Sequence, residues 1–403
     1  MIDLLKLLFL LGFTVVLLVR KLDLGLVLFL NTGLVAILFG YPALDLLRST
    51  VGGMVAPDTL SLAGAVYLVL VLAELMRRTD ATADMVTSLQ MLVPDSRITL
   101  ALMPLMIGLL PMLGGAMFSA PMVDEVGTPL DVSAEGKTFV NYWFRHAMEY
   151  VFPLYSSLLV IAALLEVTVF DVIRFSWPLT LVALAGGVIW GLRGIEKHLP
   201  SEAPQNRAGA WFRLFGSTWP LLVVVLAVVV LRLNMVLSLI GVIAIFVAVK
   251  RIPPREWWDI LKRSFPVGTF SAIFGVMVFK HVVEDAGAVT RIPQALSVLG
   301  LPAMLVGFVV PMIVGLLTGT AAAALALSVP LVAPLIDGGP LGTMAAGVWL
   351  FVGGFSGVLL SPLHLCLALT KEYFEASWGP IYQRIVPSVA LVVLAAMGLV
   401  LLR

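Results

Sequence analysis

Two stretches decide the fold: PLMIGLLPMLGGAMFSAPMV from Pro104 to Val123, and PMIVGLLTGTAAAALALSVPLV from Pro311 to Val332. Both are apolar enough to lie in a membrane. Both carry Gly and Pro where a continuous helix would lose backbone hydrogen bonds. They start 207 residues apart, and a two-residue gap sets Pro121 opposite Pro330. Neighbouring markers recur at nearly the same spacing. Asp80-Ala81 lies opposite Asp285-Ala286 at 205 residues, and Pro153 of FPLYSSLL lies opposite Pro362 of SPLHLCLAL at 209. Three markers at nearly one spacing predict an internal repeat.

Outward from these stretches, the whole chain reads as membrane protein. It has 403 residues, 61% hydrophobic and 12% charged, with a mean hydropathy of +1.08. A soluble globule could not cover that much apolar surface, and a disordered chain would not carry it. The expected class is an all-α polytopic membrane protein with lipid as its main solvent. A net charge of +1 gives no basic excess for nucleic acid. The single cysteine, Cys366, excludes an internal disulfide, and the four histidines show no metal-ligand spacing, so no metal site is expected. The first segment, with Arg20 and Lys21 behind its apolar run and no small-residue cleavage pattern, reads as a retained helix. No soluble domain is expected on either side of the membrane part.

Apolar runs include Leu4–Val19, Leu22–Leu47 and Thr59–Met76, with matching runs in the second half. If each Gly/Pro segment is a re-entrant hairpin, seventeen of the 25 Lys and Arg fall on the cytoplasmic side, seven outside, and Arg145 lies within a span. If each segment crosses instead, the nine charges from Arg193 to Arg263 face opposite to Arg20, Lys21, Arg77 and Arg78. The positive-inside rule favours hairpins. The expectation is therefore two inverted repeats with about ten transmembrane helices, two re-entrant hairpins and both termini extracytoplasmic, in the plasma (inner) membrane. Residues 1–193 form the first repeat, with scaffold helices 1–78 and a hairpin plus interrupted helix over 97–193. A cytoplasmic linker covers 194–214. Residues 215–403 form the second repeat, with scaffold helices 215–281 and the hairpin plus interrupted helix over 301–403.

Non-helical backbone at membrane depth is tolerated only where it is buried in protein or lines a water-filled cavity. Four such places are expected: tips at Pro111–Ala116 and Thr318–Thr320, and breaks at Val151–Ser157 and Ser356–His364. Broken helices offer positive N-termini to anions and free carbonyls to cations, and in paired inverted halves they mark a secondary transporter with a midplane site.

The second half also resembles a known family. GVMVFKHVVEDAGA from Gly275, the Thr-Gly-Thr tip, and SPLHLCLALTKEYFEASWG from Ser361 resemble the C-terminal half of gluconate-type permeases of the ion transporter superfamily. Lys371-Glu372-Tyr373-Phe374 after an interrupted helix is the most specific piece. A branch of that superfamily known only as a domain of unknown function is a similar match. The resemblance implies a homodimer in which a scaffold holds a moving transport domain, an elevator arrangement. It also implies ligand-binding tips, which in dicarboxylate relatives carry Ser-Asn-Thr. Here those places read Leu113-Gly114-Gly115 and Thr318-Gly319-Thr320, and apolar Leu363, Leu365 and Leu367 replace a polar cluster of the gluconate family.

Candidate substrate ligands are Gly114, Gly115, Arg145, Ser156, Ser157, Thr318, Gly319, Thr320 and Ser361. Arg145 suits a carboxylate because its planar fork binds both oxygens. A charge inside the membrane is expensive, which makes function its default reading, with a structural brace as the other. Arg145 and Glu149 stand at i, i+4, a spacing that would pair them on one helix face. Candidate ion-coupling groups are His364, His146 and Glu149. His364 suits proton coupling through its ordinary pKa of about 6.5, or it bonds carbonyls freed by the break. Lys280, His281, Glu284 and Asp285 read as a solvated helix end, and Cys366 as core packing.

The expected function is secondary active transport of a small organic anion of the carboxylate type, by symport with Na⁺ or H⁺ and an elevator movement. The proton is favoured because the first tip is poor in hydroxyls. The alternatives are a membrane subunit working with a periplasmic solute-binding protein, and an ion channel. No enzyme motif, nucleotide-binding loop or organic cofactor signature is present.

Overall fold

The computed structural model describes residues 2–20, 22–93, 95–110, 115–195, 207–288, 291, 302–337 and 342–402, and among them it contains helix and no strand. Lipid demands this, because a helix satisfies its own backbone polar groups. The first half comprises α1 (Ile2–Val19), α2 (Leu24–Phe39), α3 (Ala43–Val55), α4 (Pro57–Arg78), α5 (Ala81–Leu92), α6 (Ser96–Gly108), α7 (Ala116–Gly127), α8 (Ala134–His146), α9 (Ser156–Leu164) and α10 (Val169–Gly187). The second comprises α11 (Arg207–Val225), α12 (Met235–Lys250), α13 (Pro254–Arg263), α14 (Val267–Asp285), α15 (Ala303–Thr318), α16 (Ala321–Asp337), α17 (Gly342–Leu360), α18 (Leu365–Tyr373) and α19 (Trp378–Leu401). Single π-helical turns extend α10 through Leu192 and α11 through Val230.

Among the described residues, six helical segments are long and apolar enough to cross a membrane: Pro57–Arg78, Val169–Leu192, Arg207–Val230, Val267–Asp285, Gly342–Tyr373 and Trp378–Leu401. The chain is thus built as a multi-pass membrane protein. α6 and α7, of 13 and 12 residues, reach only about 20 Å each at 1.5 Å per residue, short of the ~30 Å hydrocarbon core. They pack on one another, as do α15 and α16.

Local chemistry sets the helix ends. Asp23 accepts from the amides of Gly25 and Leu26 to start α2, Ser133 accepts from Gly136 to start α8, and Thr168 with Asp171 forms a capping box for α10. The apolar run expected from Leu22 to Leu47 is two helices. Gly40, left-handed at φ 69°, closes α2, and Pro42 precedes α3. Both breaks differ from expectation. The first begins at Ala147, not Val151, and the second at Ser361, because α17 runs unbroken through Ser356 to Leu360. Glycines of α17 let α15 approach closely. A Cβ at Gly357 would strike the Met312 carbonyl, and one at Gly315 the Gly354 carbonyl. The expected linker 194–214 is helical from Arg207, and residues 196–206 lie outside the described residues.

Contacts recur between the halves. α2 and α3 lie on α14 as α12 and α13 lie on α4. Each hairpin packs on the interrupted helix of its own half. Across the halves α7 touches α18 and α16 touches α9, while α8 touches α19 and α17 touches α10. Even one close approach is repeated: Gly108 sits on the carbonyl of Arg145 as Gly315 sits on that of Gly354. The sequence offsets are 207 and 209, those read from the Gly/Pro markers.

Candidate functional site

α8 ends at His146, and the chain turns irregularly until α9 starts at Ser156. α17 ends at Leu360, and Ser361-Pro362-Leu363-His364 leads into α18. The two breaks and the second tip meet at a pair of imidazoles. His364 Nε2 lies 3.1 Å from His146 Nε2, and the ring centroids are 4.9 Å apart. His364 Nδ1 is 2.6 Å from the Gly319 carbonyl at the second tip, and His146 Nδ1 is 2.7 Å from the Tyr142 carbonyl. Cys366 Sγ joins them, with one ligand atom from each of the three residues lying within 4.8 Å of the others. Tyr142 flanks both rings at 4.9 and 5.6 Å, and Phe355 lies 6.3 Å from that of His146.

Arg145 and Glu149 are both buried. The guanidinium of Arg145 lies against Gly115, where a Cβ would overlap it, so glycine there lets the side chain rest on the first tip. Gly114 lies outside the described residues. Glu149 accepts from Ser157 Oγ at 2.8 Å across the break. The i, i+4 relation expected between Arg145 and Glu149 presupposes a helix through Glu149, and that helix has already ended. Tyr155 donates to the carbonyls of Gly108 at 2.7 Å and Arg145 at 2.9 Å, and Ser176 Oγ donates to that of Tyr150 at 2.6 Å. Carbonyls freed by the break are thereby satisfied without water.

The expected hydroxyl ligands serve backbone instead. Ser361 Oγ donates to the Leu316 carbonyl at 2.6 Å and accepts from the Leu363 amide. Thr318 Oγ1 donates to the Val314 carbonyl at 2.8 Å and accepts from the Thr320 amide at 3.4 Å. Gly319, at φ 66°, packs on the Leu363–His364 backbone. Ser156 opens α9 exposed and outside the cluster. Thr320 is likewise exposed.

Sequence reasoning left out Tyr142, Tyr155 and Asn141, and it read Cys366 as core packing, whereas Cys366 lies beside the two imidazoles. Asn141 Nδ2 donates to the Ala116 carbonyl and to Thr370 Oγ1, both at 3.0 Å, joining the first hairpin to α18. The spacing of Cys366 two residues after His364 was a usable signal for the cluster. Lys280 is a correction: it is buried, not solvated, and its Nζ lies 2.8 Å from Glu166 Oε1 and 4.0 Å from Asp58. Its long stem lies in the apolar core while Glu166, in the turn after α9, meets the ammonium. The Lys280 hydrogen bond holds the Glu166 carboxyl below the usual range. A cavity of about 1090 Å³ lies beside this pair, lined by Asp58, Glu166, Asp171, Arg232 and His281 among others. None of the expected substrate ligands lines it. The polar cluster at the breaks is closed, and chemistry rather than open volume marks it.

Two solved structures are similar in fold. One is the YdaH transporter of Alcanivorax borkumensis, whose crystal structure reveals an unusual topology. It matches at a TM-score of 0.69 with 15% identity over 96% of this chain and 97% of that one. The other is MtrF of Neisseria gonorrhoeae, whose structure illuminates a class of antimetabolite efflux pumps. It matches at 0.57 with 14% identity over 88% and 83%. At these identities the likeness concerns the fold. No curated protein sequence matches the chain significantly. The gluconate branch finds no support in these matches, while a family described as of unknown function does. Its sequence profile spans residues 3–402, and the chain belongs to that family, the proteins of unknown function DUF401.

Proposed function

We propose that the chain is a secondary active transporter that moves a small organic anion of the carboxylate type across the plasma membrane, coupled to a cation. The observation that carries this reading is the convergence of two interrupted helices and the second hairpin tip on a buried cluster that adjoins Arg145 at the first tip. Buried charge in a membrane fold is expensive to keep and marks substrate or ion pathways. The Arg145 fork suits a carboxylate, and the breaks supply half-helix ends beside it. The exchange of contacts between the halves supports an internal repeat, and the Lys and Arg distribution favours inverted halves with ten crossings, two re-entrant hairpins and extracytoplasmic termini. The transport names of YdaH and MtrF support the same class. Movement of the hairpins and interrupted helices against the α2–α4 and α12–α14 scaffold, within a homodimer, is the elevator form of this proposal.

The test begins with purified protein screened for thermal stabilisation by organic acids, with and without Na⁺ and at two pH values, because a ligand of the folded state raises apparent stability. A stabilising acid is then offered to reconstituted vesicles. Accumulation driven by an ion gradient supports the proposal, and ligand-free behaviour with every acid removes it. For topology, cysteines introduced at Arg97 and Lys137 should both label from the cytoplasmic face; labelling from opposite faces would end the hairpin reading.

A further inference from the structure

We propose that His146 and His364 bind one proton between their Nε2 atoms, and that this shared proton fastens the second hairpin tip to the first interrupted helix. The proposal deepens the transporter reading by naming its coupling ion, and it rests on that reading only for its consequence for transport.

Hydrogen-bond valence makes the case. The Nδ1 of each ring contacts a backbone carbonyl, Tyr142 at 2.7 Å and Gly319 at 2.6 Å. A carbonyl only accepts, so each ring carries a hydrogen on Nδ1. A neutral imidazole has one N–H, which leaves each Nε2 with a bare lone pair. These two atoms nevertheless stand 3.1 Å apart. Two neutral rings would set lone pair against lone pair at hydrogen-bonding distance. One added proton converts the contact into a charge-assisted N–H···N bond. The two rings then act as one acid, and the proton belongs to the pair.

The surroundings fit a single added positive charge. From α8, Tyr142 flanks both rings, and Arg145 stands one residue from His146 with its guanidinium on Gly115. From the break come Glu149, Tyr150 and Tyr155, and from α18 comes Cys366; Tyr382 of α19 donates to the Leu360 carbonyl behind the second break. Glu149 acts electrostatically on both histidines while Ser157 holds its Oε1. Arg145 and the shared proton place two positive charges beside the breaks, and an incoming carboxylate offsets them. Proton and anion would therefore enter the closed cluster together. The sequence separation of 218 residues between the rings makes the bond a tie between the two halves.

The tie can be read without measuring transport. Ala323→Cys in a Cys366→Ser background places a thiol at a buried position just behind the second tip, and Arg255→Cys in the same background is the exposed control. The protein is stripped with EDTA. Maleimide labelling is then compared at about pH 5.5 and about pH 8.5, which bracket the ordinary histidine range. Labelling at Ala323→Cys, divided by the control, should rise about tenfold or more with pH, the lower end of what a hydrogen bond to a charged group contributes. With His146→Gln, His364→Gln or both, the ratio should be high at both pH values. A flat ratio with both histidines present, or an unchanged rise in the double variant, would overturn the proposal. A stripped tip that is open at both pH values and closes only with added Zn²⁺ would also overturn it, because the cation would then be a metal. Where the Gln variants do not fold, ¹⁵N-histidine resonance of the unmodified chain decides. Joint movement of both Nε2 signals on titration supports the shared proton, and two independent titrations overturn it. Failure of organic-anion uptake would remove the transporter reading and leave this result standing.

Discussion

In the first interrupted helix the break runs from Ala147 to Tyr155 and follows Arg145 and His146, with Glu149 inside it. In the second the break is only Ser361–His364, and the helix before it ends Val358-Leu359-Leu360. At the 209-residue offset Arg145 corresponds to Gly354, His146 to Phe355, Glu149 to Val358 and Tyr155 to His364. Three ionisable groups of one half thus face glycine and apolar residues in the other. The backbone roles are nevertheless shared. Tyr155 reaches the Gly108 carbonyl of the first hairpin, and His364 reaches the Gly319 carbonyl of the second. Repetition preserves the close backbone approaches, which any such packing needs. At these two breaks Arg145 and Glu149 have no charged counterpart in the second half, whose His364 joins the cluster from the other side.

The largest effect should come from the charged half. Arg145→Ala should abolish transport, with a loss of carboxylate affinity on the order of 2–5 kcal/mol, as for truncating one partner of a buried charge pair. Arg145→Lys should recover little, because a point charge does not replace a planar fork. Vesicle uptake and ligand-induced thermal shift would measure both. Normal transport by either variant would place the substrate away from Arg145, and joint failure to fold would make Arg145 a structural brace.

A smaller effect sharpens the contrast between the tips. A Cβ at Gly319 would lie 2.8 Å from the Leu363 carbonyl carbon and the His364 amide nitrogen, at a left-handed φ. Gly319→Ala should therefore cost about 1 kcal/mol of strain plus whatever the displaced backbone adds. A Cβ at Gly115 meets the end of the Arg145 side chain, which can swing away. Gly115→Ala should leave thermal stability nearer the parent and weaken anion binding instead. Thermal unfolding with and without ligand separates the two, and the reverse ranking would mean that the first tip, not the second, is anchored on backbone.

The smallest effect concerns the Glu166–Lys280 pair, away from both breaks. Glu166 titrates below its ordinary range because Lys280 donates to it. Its contribution is therefore present above the unfolded glutamate value and disappears as pH falls through the lower folded value. Glu166 is largely exposed, so solvent screening keeps the pair near the 0–1 kcal/mol scale of surface ion pairs. Glu166→Gln should remove that part of the acid sensitivity in thermal unfolding; an unchanged acid profile would assign it to other carboxylates.

Much of the helical layout was readable because lipid forces it. Long apolar runs must be helices, and Gly40, Pro153, Gly319 and Pro362 end or interrupt them for reasons local to the backbone. The second break was expected from Ser356, yet the helix continues to Leu360, where Gly353 and Gly357 let α15 approach closely. Site chemistry was readable by type more than by role. His146, His364 and Glu149 were expected as ion-coupling groups and lie together, whereas Ser361 and Thr318 were expected as ligands and are engaged by carbonyls four and more residues away.

By itself the sequence determined that this protein is helical and membrane-embedded, that its Gly/Pro segments and interruptions recur at one spacing, and that Arg145 is a charge within an apolar stretch. These follow from hydropathy and from the backbone limits of Gly and Pro, which act over a few residues. Only the tertiary structure decided that His146 meets His364, that Glu149 bonds Ser157 rather than following a helical i, i+4 rule, and that Lys280 is buried with Glu166. Those pairings join residues separated by turns or by half the chain. Side-chain polar groups with no water nearby take the nearest partner that packing brings, and packing is a property of all the helices together.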